Sequence, residues 1–294
     1  MTSALKSHYE EHGYVIISDL IEDKDWSELE QACERVIAKT REGSWPHRRT
    51  VGKQFPPYGQ DDPDSWGVQH VMHPDLHEPA FVRWYTSPKL LGVAKELLGC
   101  NEDELQMELF NLLINPASHD FALRWHRDDI PEDATPQEEL QALKVWHFGV
   151  SRMVTIALYP DSCLFIVPGS HKIPRTQEQR KLSSGQIPED PMDMPGAKRV
   201  SLKPGETVFY NNNILHCAAY SSKERRATLH ACIGDASGGS SRARNILQHG
   251  LEWMKSEEFR RSLPSPTARA MLEKLLVMYD NSGPGRNVIY SLKN

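Results

Sequence analysis

The apolar positions of the chain follow two different periods. From Asp23 onward, Trp26, Leu29, Cys33, Val36 and Ile37 recur every three or four residues, the spacing of one buried helix face. Ala4–His12 predicts a shorter helix closed by Gly13. Ser87-Pro88-Lys89 opens another that runs to Leu98 and stops at Gly99, with proline in the first turn, where its missing N–H leaves no bond unmade. Between these helices the pattern changes to β-branched and apolar runs: Tyr14–Ile17 and residues 108–114, 163–167, 199–202, 206–210 and 227–233 read as strands. Residues 144–159 read as two strands joined near Gly149. Helical spacing returns over 243–263 and 267–279, where Trp253, Leu272, Leu275 and Leu276 are core positions, set against the strands or a partner subunit.

Three polar stretches interrupt this pattern. Residues 42–75 are rich in Gly, Pro, His and Trp and carry Phe55-Pro56-Pro57-Tyr58-Gly59, the composition of a binding loop or lid. Residues 128–143 form an acidic insertion with Pro131 and Pro136, expected in solvent, and 172–197 a proline-containing polar loop. Long loops on one side of a β scaffold imply a covered cavity. The expected architecture is mainly β with flanking helices, one domain over 1–294: a core at 8–235 and a C-terminal helical extension at 241–280.

Composition narrows the partners. At 294 residues and 39% hydrophobic content, one large core is within reach. A net charge of -6 with both signs interspersed leaves no basic stripe for a phosphate backbone, so nucleic acid is not an expected partner. The five cysteines have no CxxC spacing, which speaks against a zinc knuckle and a disulfide framework. No apolar stretch approaches a membrane span. A cytoplasmic location is the expectation.

The chemistry centres on Leu123-Arg124-Trp125-His126-Arg127-Asp128. On a strand, residues i and i+2 share a face, so His126 and Asp128 can converge on one metal ion. A third ligand is expected from His216, at the end of the strand-like run 206–215. Two histidines and a carboxylate cap one face of an octahedron and suit Fe(II), leaving positions for co-substrate and dioxygen.

The order GYVII, WHRD, VPGSHK, PGETVFYNNNILH and a following arginine resembles the phytanoyl-CoA dioxygenase-like family over roughly 8–235. The resemblance implies a double-stranded β-helix, or jelly roll, and a non-haem Fe(II)/2-oxoglutarate oxygenase. It also implies His126, Asp128 and His216 as the metal triad, and a basic residue after His216 for the distal carboxylate of 2-oxoglutarate. Arg225 and Arg226 both qualify; alternation places Arg226 with Thr228 and His230, and Arg225 with Ala227 and Leu229, which favours Arg226. Thr155 and Asn111 are further co-substrate candidates. Gln69, His70, Trp125 and Trp146 are candidate substrate contacts, and His171 is expected to shape the PGSH turn. His147 lacks a carboxylate at useful spacing.

In that class, oxidative decarboxylation to succinate and carbon dioxide is coupled to hydrogen abstraction from the substrate. Asp128 speaks against halogenation, since related halogenases lack the carboxylate. Hydroxylation, desaturation, cyclisation and epimerisation stay open. The aromatic lid favours a mostly apolar small molecule of secondary-metabolite type, while Lys39, Arg41, Arg48, Arg49 and Lys53 flank the lid as an acyl-CoA site would require. The alternatives are a cupin-like metal isomerase or hydrolase and a non-catalytic binding protein. A homodimer through the C-terminal helices is a further expectation.

Overall fold

The computed structural model describes residues 3–59, 64–146, 151–238 and 243–281. The longer sheet is built from β1 (Tyr14–Ile17), β2 (Arg48–Thr50), β3 (Ser65–Val68), β4 (Leu105–Ile114), β6 (Ser151–Ala157), β9 (Thr207–Tyr210) and β11 (Ala227–Asp235). Their spatial order is β1-β9-β6-β11-β4-β3-β2. The shorter sheet is β5 (Phe121–Ala122), β10 (His216–Tyr220), β7 (Leu164–Ile166) and β8 (Lys198–Arg199), in the order β5-β10-β7-β8. Every paired neighbour is antiparallel. This is the expected jelly roll, mainly β with flanking helices.

Local signals place the helices as the pattern predicts. Ser3 caps α1 (Ala4–His12), and Gly13 at φ 80° closes it by returning its N–H to Tyr9. A side chain at Gly13 would collide with the His171 ring, so this glycine serves both the left-handed cap and the close approach of the PGSH turn. In α2 (Asp23–Arg41), Leu29, Cys33, Val36 and Ile37 are buried as expected, with Ala32 beside them. After α3 (Pro79–Tyr85), Ser87 caps α4 (Pro88–Leu98) and Gly99 ends it. α7 (Ala243–Leu247), α8 (Glu257–Ser262) and α9 (Pro266–Asn281) form the C-terminal extension. Leu272 and Leu275 of α9 are buried in the same cluster as Phe110 of β4, so they serve the protein's own core. β4 is buried along its whole length, with α9 packed against it.

At the centre of the longer sheet, the pairing of β11 with β4 shifts register between Ala231 and Ile233. The Tyr85 hydroxyl enters there: it donates to Cys232 O at 2.6 Å and accepts from the Glu108 amide at 2.9 Å. A side chain thus replaces the ladder bond that the bulge removes.

Several expectations fail for identifiable reasons. Residues 144–159 are not two strands: α5 (Pro136–Trp146) continues through Trp146, and β6 alone follows in the described residues. The stretch 128–143 is largely exposed as expected, but it is anchored: Ile130 and Leu143 are buried, and Glu139 of α5 is fully buried and receives Arg127, Arg175 and Arg180. Residues 172–197 include α6 (Gln177–Leu182), started by a capping box between Thr176 and Gln179. The strand read at 206–210 is β9, which stops at Tyr210 as expected; His216, however, does not end that run but opens β10 after the turn through Asn211 and Asn213. The lid stretch 42–75 holds β2 and β3. The helical pattern over 243–263 breaks into α7, a single 3-10 turn and α8.

Candidate metal centre

His126 and Asp128 do not lie in a regular strand. His126 forms an isolated bridge with His216, each backbone donating to the other at 2.9 and 3.0 Å. The bridge brings the imidazoles together, with ring centroids 4.2 Å apart. Both rings are oriented alike. Nδ1 of His126 lies 2.9 Å from Arg124 O, and Nδ1 of His216 lies 2.8 Å from Ile214 O. His216 Nδ1–H therefore donates to Ile214 O, which leaves its Nε2 with a lone pair; His126 Nδ1 faces both Arg124 O and Gln54 Nε2, each at 2.9 Å, and the tautomer that binds a metal through Nε2 is the one that donates to Arg124 O. Those Nε2 atoms sit 3.8 and 3.6 Å from Oδ1 of Asp128. Burial, reinforced by His216, holds the His126 imidazole well below its ordinary pKa, hence neutral, the form that binds a metal. Among the described residues, this trio is the cluster of His, Cys, Asp or Glu whose ligand atoms converge, all within 4.8 Å.

The trio is braced from behind. Asp128 N–H donates to Asn212 O, and Arg127 donates to Ser170 O and Ile173 O at 2.8 and 3.0 Å, and to Asn213 O. Gln54 clamps the Arg124 backbone, accepting from its N–H at 2.9 Å and donating to its C=O at 3.1 Å. Phe55 packs edge-on against His126, with centroids 5.2 Å apart.

The metal trio opens into a cavity of about 960 Å³, a volume that includes its mouth and the solvent there. The longer sheet supplies one wall. Asn111 of β4, His230 of β11 and Thr155 of β6 stand in one cross-strand row, and Thr155 Oγ1 lies 3.0 Å from His230 Nδ1. Burial, with Arg49 and Arg226 nearby, keeps His230 neutral. Asn111 Oδ1 accepts from the His70 amide, while its Nδ2 is buried without a partner.

The two arginines separate sharply. Arg226 is buried in the cavity wall, its Nε donating to Asp161 Oδ2 at 2.8 Å, and Thr228 Oγ1 binds the same oxygen. Burial opposes its charge, but Asp161 beside it keeps the guanidinium ionised. Its Nη1 is buried and has no partner. Arg225 points away, over the Tyr159 ring and onto Glu34 in solvent.

The lid candidates fare differently. Gln69 and His70 are buried outside the cavity lining; Gln69 O accepts from Trp45, and the His70 ring bonds the His249 backbone. Trp125 packs into a separate apolar cluster with Phe165, Met194 and Leu215, because its alternation turns it away from His126. The side chain of Trp146, like His147, lies outside the described residues. His171 is buried under α1, where its Nε2 lies 3.2 Å from Glu10 O, so it ties the PGSH turn to that helix. Sequence reasoning missed Gln54, Asp161, Glu139 and the turn Gln248-His249; none lies in a periodic or motif context that marks it.

The decisive comparison is a family model, described as phytanoyl-CoA dioxygenase (PhyH), that matches residues 9–227. The chain belongs to the phytanoyl-CoA dioxygenase family. As a member of this family it is an enzyme of the Fe(II)/2-oxoglutarate-dependent oxygenase class. Among curated proteins no sequence match was found. Solved structures share the family fold. AviO1 from Streptomyces viridochromogenes is 17% identical, with a TM-score of 0.56, covering 80% of this chain and 95% of that one. EctD from S. alaskensis, determined with bound Fe, is 16% identical with a TM-score of 0.57, covering 81% and 78%. The carbocyclase SnoK from nogalamycin biosynthesis is 24% identical with a TM-score of 0.51, covering 80% and 85%.

Proposed function

We propose that this phytanoyl-CoA dioxygenase family member holds Fe(II) through His126, Asp128 and His216, anchors the distal carboxylate of 2-oxoglutarate on Arg226, and oxidises a C–H bond of a small organic molecule. One observation carries the reading: two outward Nε2 atoms and a carboxylate converge in the same cavity as a buried guanidinium with an unpartnered Nη1. The donor set suits a divalent iron, and the orphaned Nη1 suits a carboxylate oxygen. EctD, a distant relative in fold, has been determined with 2-oxoglutarate and 5-hydroxyectoine.

When bound, the iron and 2-oxoglutarate supply oxidative decarboxylation driven by dioxygen, with succinate and carbon dioxide released. The chain's own residues position and shield. Arg124 O and Ile214 O orient the two imidazole rings through Nδ1, so both Nε2 atoms face the site before any metal arrives. Asp161 and Thr228 hold the Arg226 fork in one orientation. Asn111 offers its unpartnered Nδ2 to the co-substrate, beside the row formed by Thr155 and His230. Phe55 and Tyr58 of the lid exclude water beside the metal ligands. Hydroxylation is the simplest outcome; desaturation, cyclisation and epimerisation use the same arrangement.

The test is an anaerobic visible difference spectrum of metal-free protein given Fe(II) and then 2-oxoglutarate. A charge-transfer band that is lost in His126→Ala and weakened in Arg226→Ala is expected. Bound iron without any such band in the native protein would overturn the 2-oxoglutarate assignment and favour a cupin-like metal hydrolase or isomerase.

A further inference from the structure

The cavity has a second polar end, away from Arg226. Of the five basic residues that flank the lid in sequence, Arg48 donates to Ser65 at 2.8 Å, Lys39 to Leu76 O and Arg41 to Asn115 O, and Arg49 alone lines the cavity. Arg49 reaches it by a specific backbone arrangement. It pairs across β2 and β3 with Gly67, and a Cβ on Gly67 would lie 3.0 Å from Arg49 Cδ. The missing side chain lets the Arg49 stem lie flat over β3. The register shift between Arg49 and Thr50 makes room for Trp66, whose ring lies 4.9 Å below the guanidinium.

Arg49 and Arg226 are distinct stations. Arg49, Gly67, Leu113 and Thr228 are successive partners across β2, β3, β4 and β11, so Arg49 stands three strand spacings, about 14 Å, from Thr228. Aromatic rings fill the interval. The Arg226 guanidinium lies 4.6 Å over Tyr220, Tyr220 packs against Trp66 at 5.5 Å, and Trp66 carries Arg49. Unlike Arg226, Arg49 has no ion pair among the described residues, and its Nε is buried without a hydrogen-bond partner. His249 lies at the same end: it lines the cavity, and its Nδ1 is likewise buried and unpartnered. It arrives from the turn after α7, outside the family-matched residues 9–227.

We propose that Arg49, with His249, forms the substrate subsite for an organic anion, and that the substrate is a carboxylate-bearing small molecule whose apolar body lies between Trp66, Phe55 and Tyr58. The inference depends on the oxygenase reading, since Arg226 must be occupied by 2-oxoglutarate for Arg49 to be free for a second ligand. It replaces the mostly apolar substrate suggested by the lid's aromatics alone with an amphipathic one. Arg49 is half-buried, and its buried Nε has no hydrogen-bond partner; an anion would complete it, and a carboxylate matches its planar fork.

The experiment titrates Fe(II)- and 2-oxoglutarate-loaded protein, anaerobically and by calorimetry, with three matched pairs: benzoate and benzamide, phenylacetate and phenylacetamide, octanoate and octanamide. The expected result is at least about tenfold tighter binding of the carboxylate in one or more pairs. That preference disappears in Arg49→Gln and shrinks in His249→Ala, while the 2-oxoglutarate charge-transfer band stays intact, which also shows that the variants are folded. Equal binding of acid and amide across all pairs overturns the proposal, as does loss of 2-oxoglutarate binding in Arg49→Gln, which would move Arg49 to the co-substrate. Absence of the band in native protein is a different result, and it would sink the oxygenase reading itself.

Discussion

Arg127, the residue between the two proposed ligands His126 and Asp128, is held by Glu139 at 2.7 Å, and both side chains are almost wholly buried. Arg175 and Arg180 bind the same carboxylate. Burial lowers the Arg127 guanidinium to about 10, even with Glu139 opposing the shift, so the protein keeps a desolvated cation directly behind its metal centre. Glu139→Gln leaves that cation unpaired, and the expected loss of stability is about 3–5 kcal/mol, read from urea unfolding. Iron affinity is expected to fall on the order of 10- to 100-fold, as for residues that orient metal ligands. Unchanged iron affinity in a folded Glu139→Gln protein would show that the cluster serves α5 alone.

The neighbouring arginines predict opposite phenotypes. Arg226→Ala removes a buried, oriented fork and leaves Asp161 without its cation, so 2-oxoglutarate binding should weaken on the order of 100-fold. Arg225 is exposed and its pair with Glu34 lies in solvent, so Arg225→Ala should change stability by less than about 1 kcal/mol and leave the charge-transfer band as it is. Parallel titrations of the two variants with 2-oxoglutarate make the comparison.

A pH dependence follows from His70, which burial, with His47 and His73 next to it, pushes down to about 3. In the unfolded chain a histidine titrates near 6.5, so below about pH 6.5 the unfolded state takes up a proton that folded His70 refuses. Stability is therefore unaffected by this group above 6.5 and is lost progressively as pH falls toward 3, by up to about 1.4 kcal/mol per pH unit. His70 sits at φ 59°, a left-handed conformation that asparagine tolerates, so His70→Asn removes the titration with little strain. Between pH 7 and pH 5 the denaturant midpoint of the native protein should fall relative to that of the variant.

Tyr85→Phe tests the bulge in β11. The lost hydroxyl would strand both Cys232 O and the Glu108 N–H in the core, at an expected total of about 2 kcal/mol. Calorimetric unfolding would register it; a variant as stable as the native protein would mean that the ladder closes without the tyrosine.

The parts of this molecule legible from sequence were those encoded locally. Helix caps such as Gly13, Ser87 and Gly99 lie beside the pattern they terminate, and alternation leading into β11 was enough to turn Arg226 inward and Arg225 outward. His126, Asp128 and His216 were recognisable because their motifs are short, although the assumed strand geometry was wrong and a backbone bridge does the positioning. What stayed hidden depends on long-range partners. Glu139 looks like any residue of an acidic stretch until three arginines, from as far away as Arg180, meet on it. Asp161 is one more loop aspartate until Arg226 arrives. Arg49 read as one of five equivalent charges, and its distinction lies in a glycine on the next strand and in His249 of the C-terminal turn.

The row Arg226, Tyr220, Trp66, Arg49 gives the protein a built-in optical reporter. The Trp66 indole is 1% exposed, and its N–H is fixed to Thr50 O and Lys53 O, so solvent and rotation contribute little to its emission. What varies around it is charge: an anion at Arg49 neutralises the cation on its face, and one at Arg226 acts through the intervening Tyr220 ring. The difference in fluorescence between native protein and Trp66→Phe would thus follow the filling of each station in turn, giving the order of ligand arrival in a single stopped-flow trace.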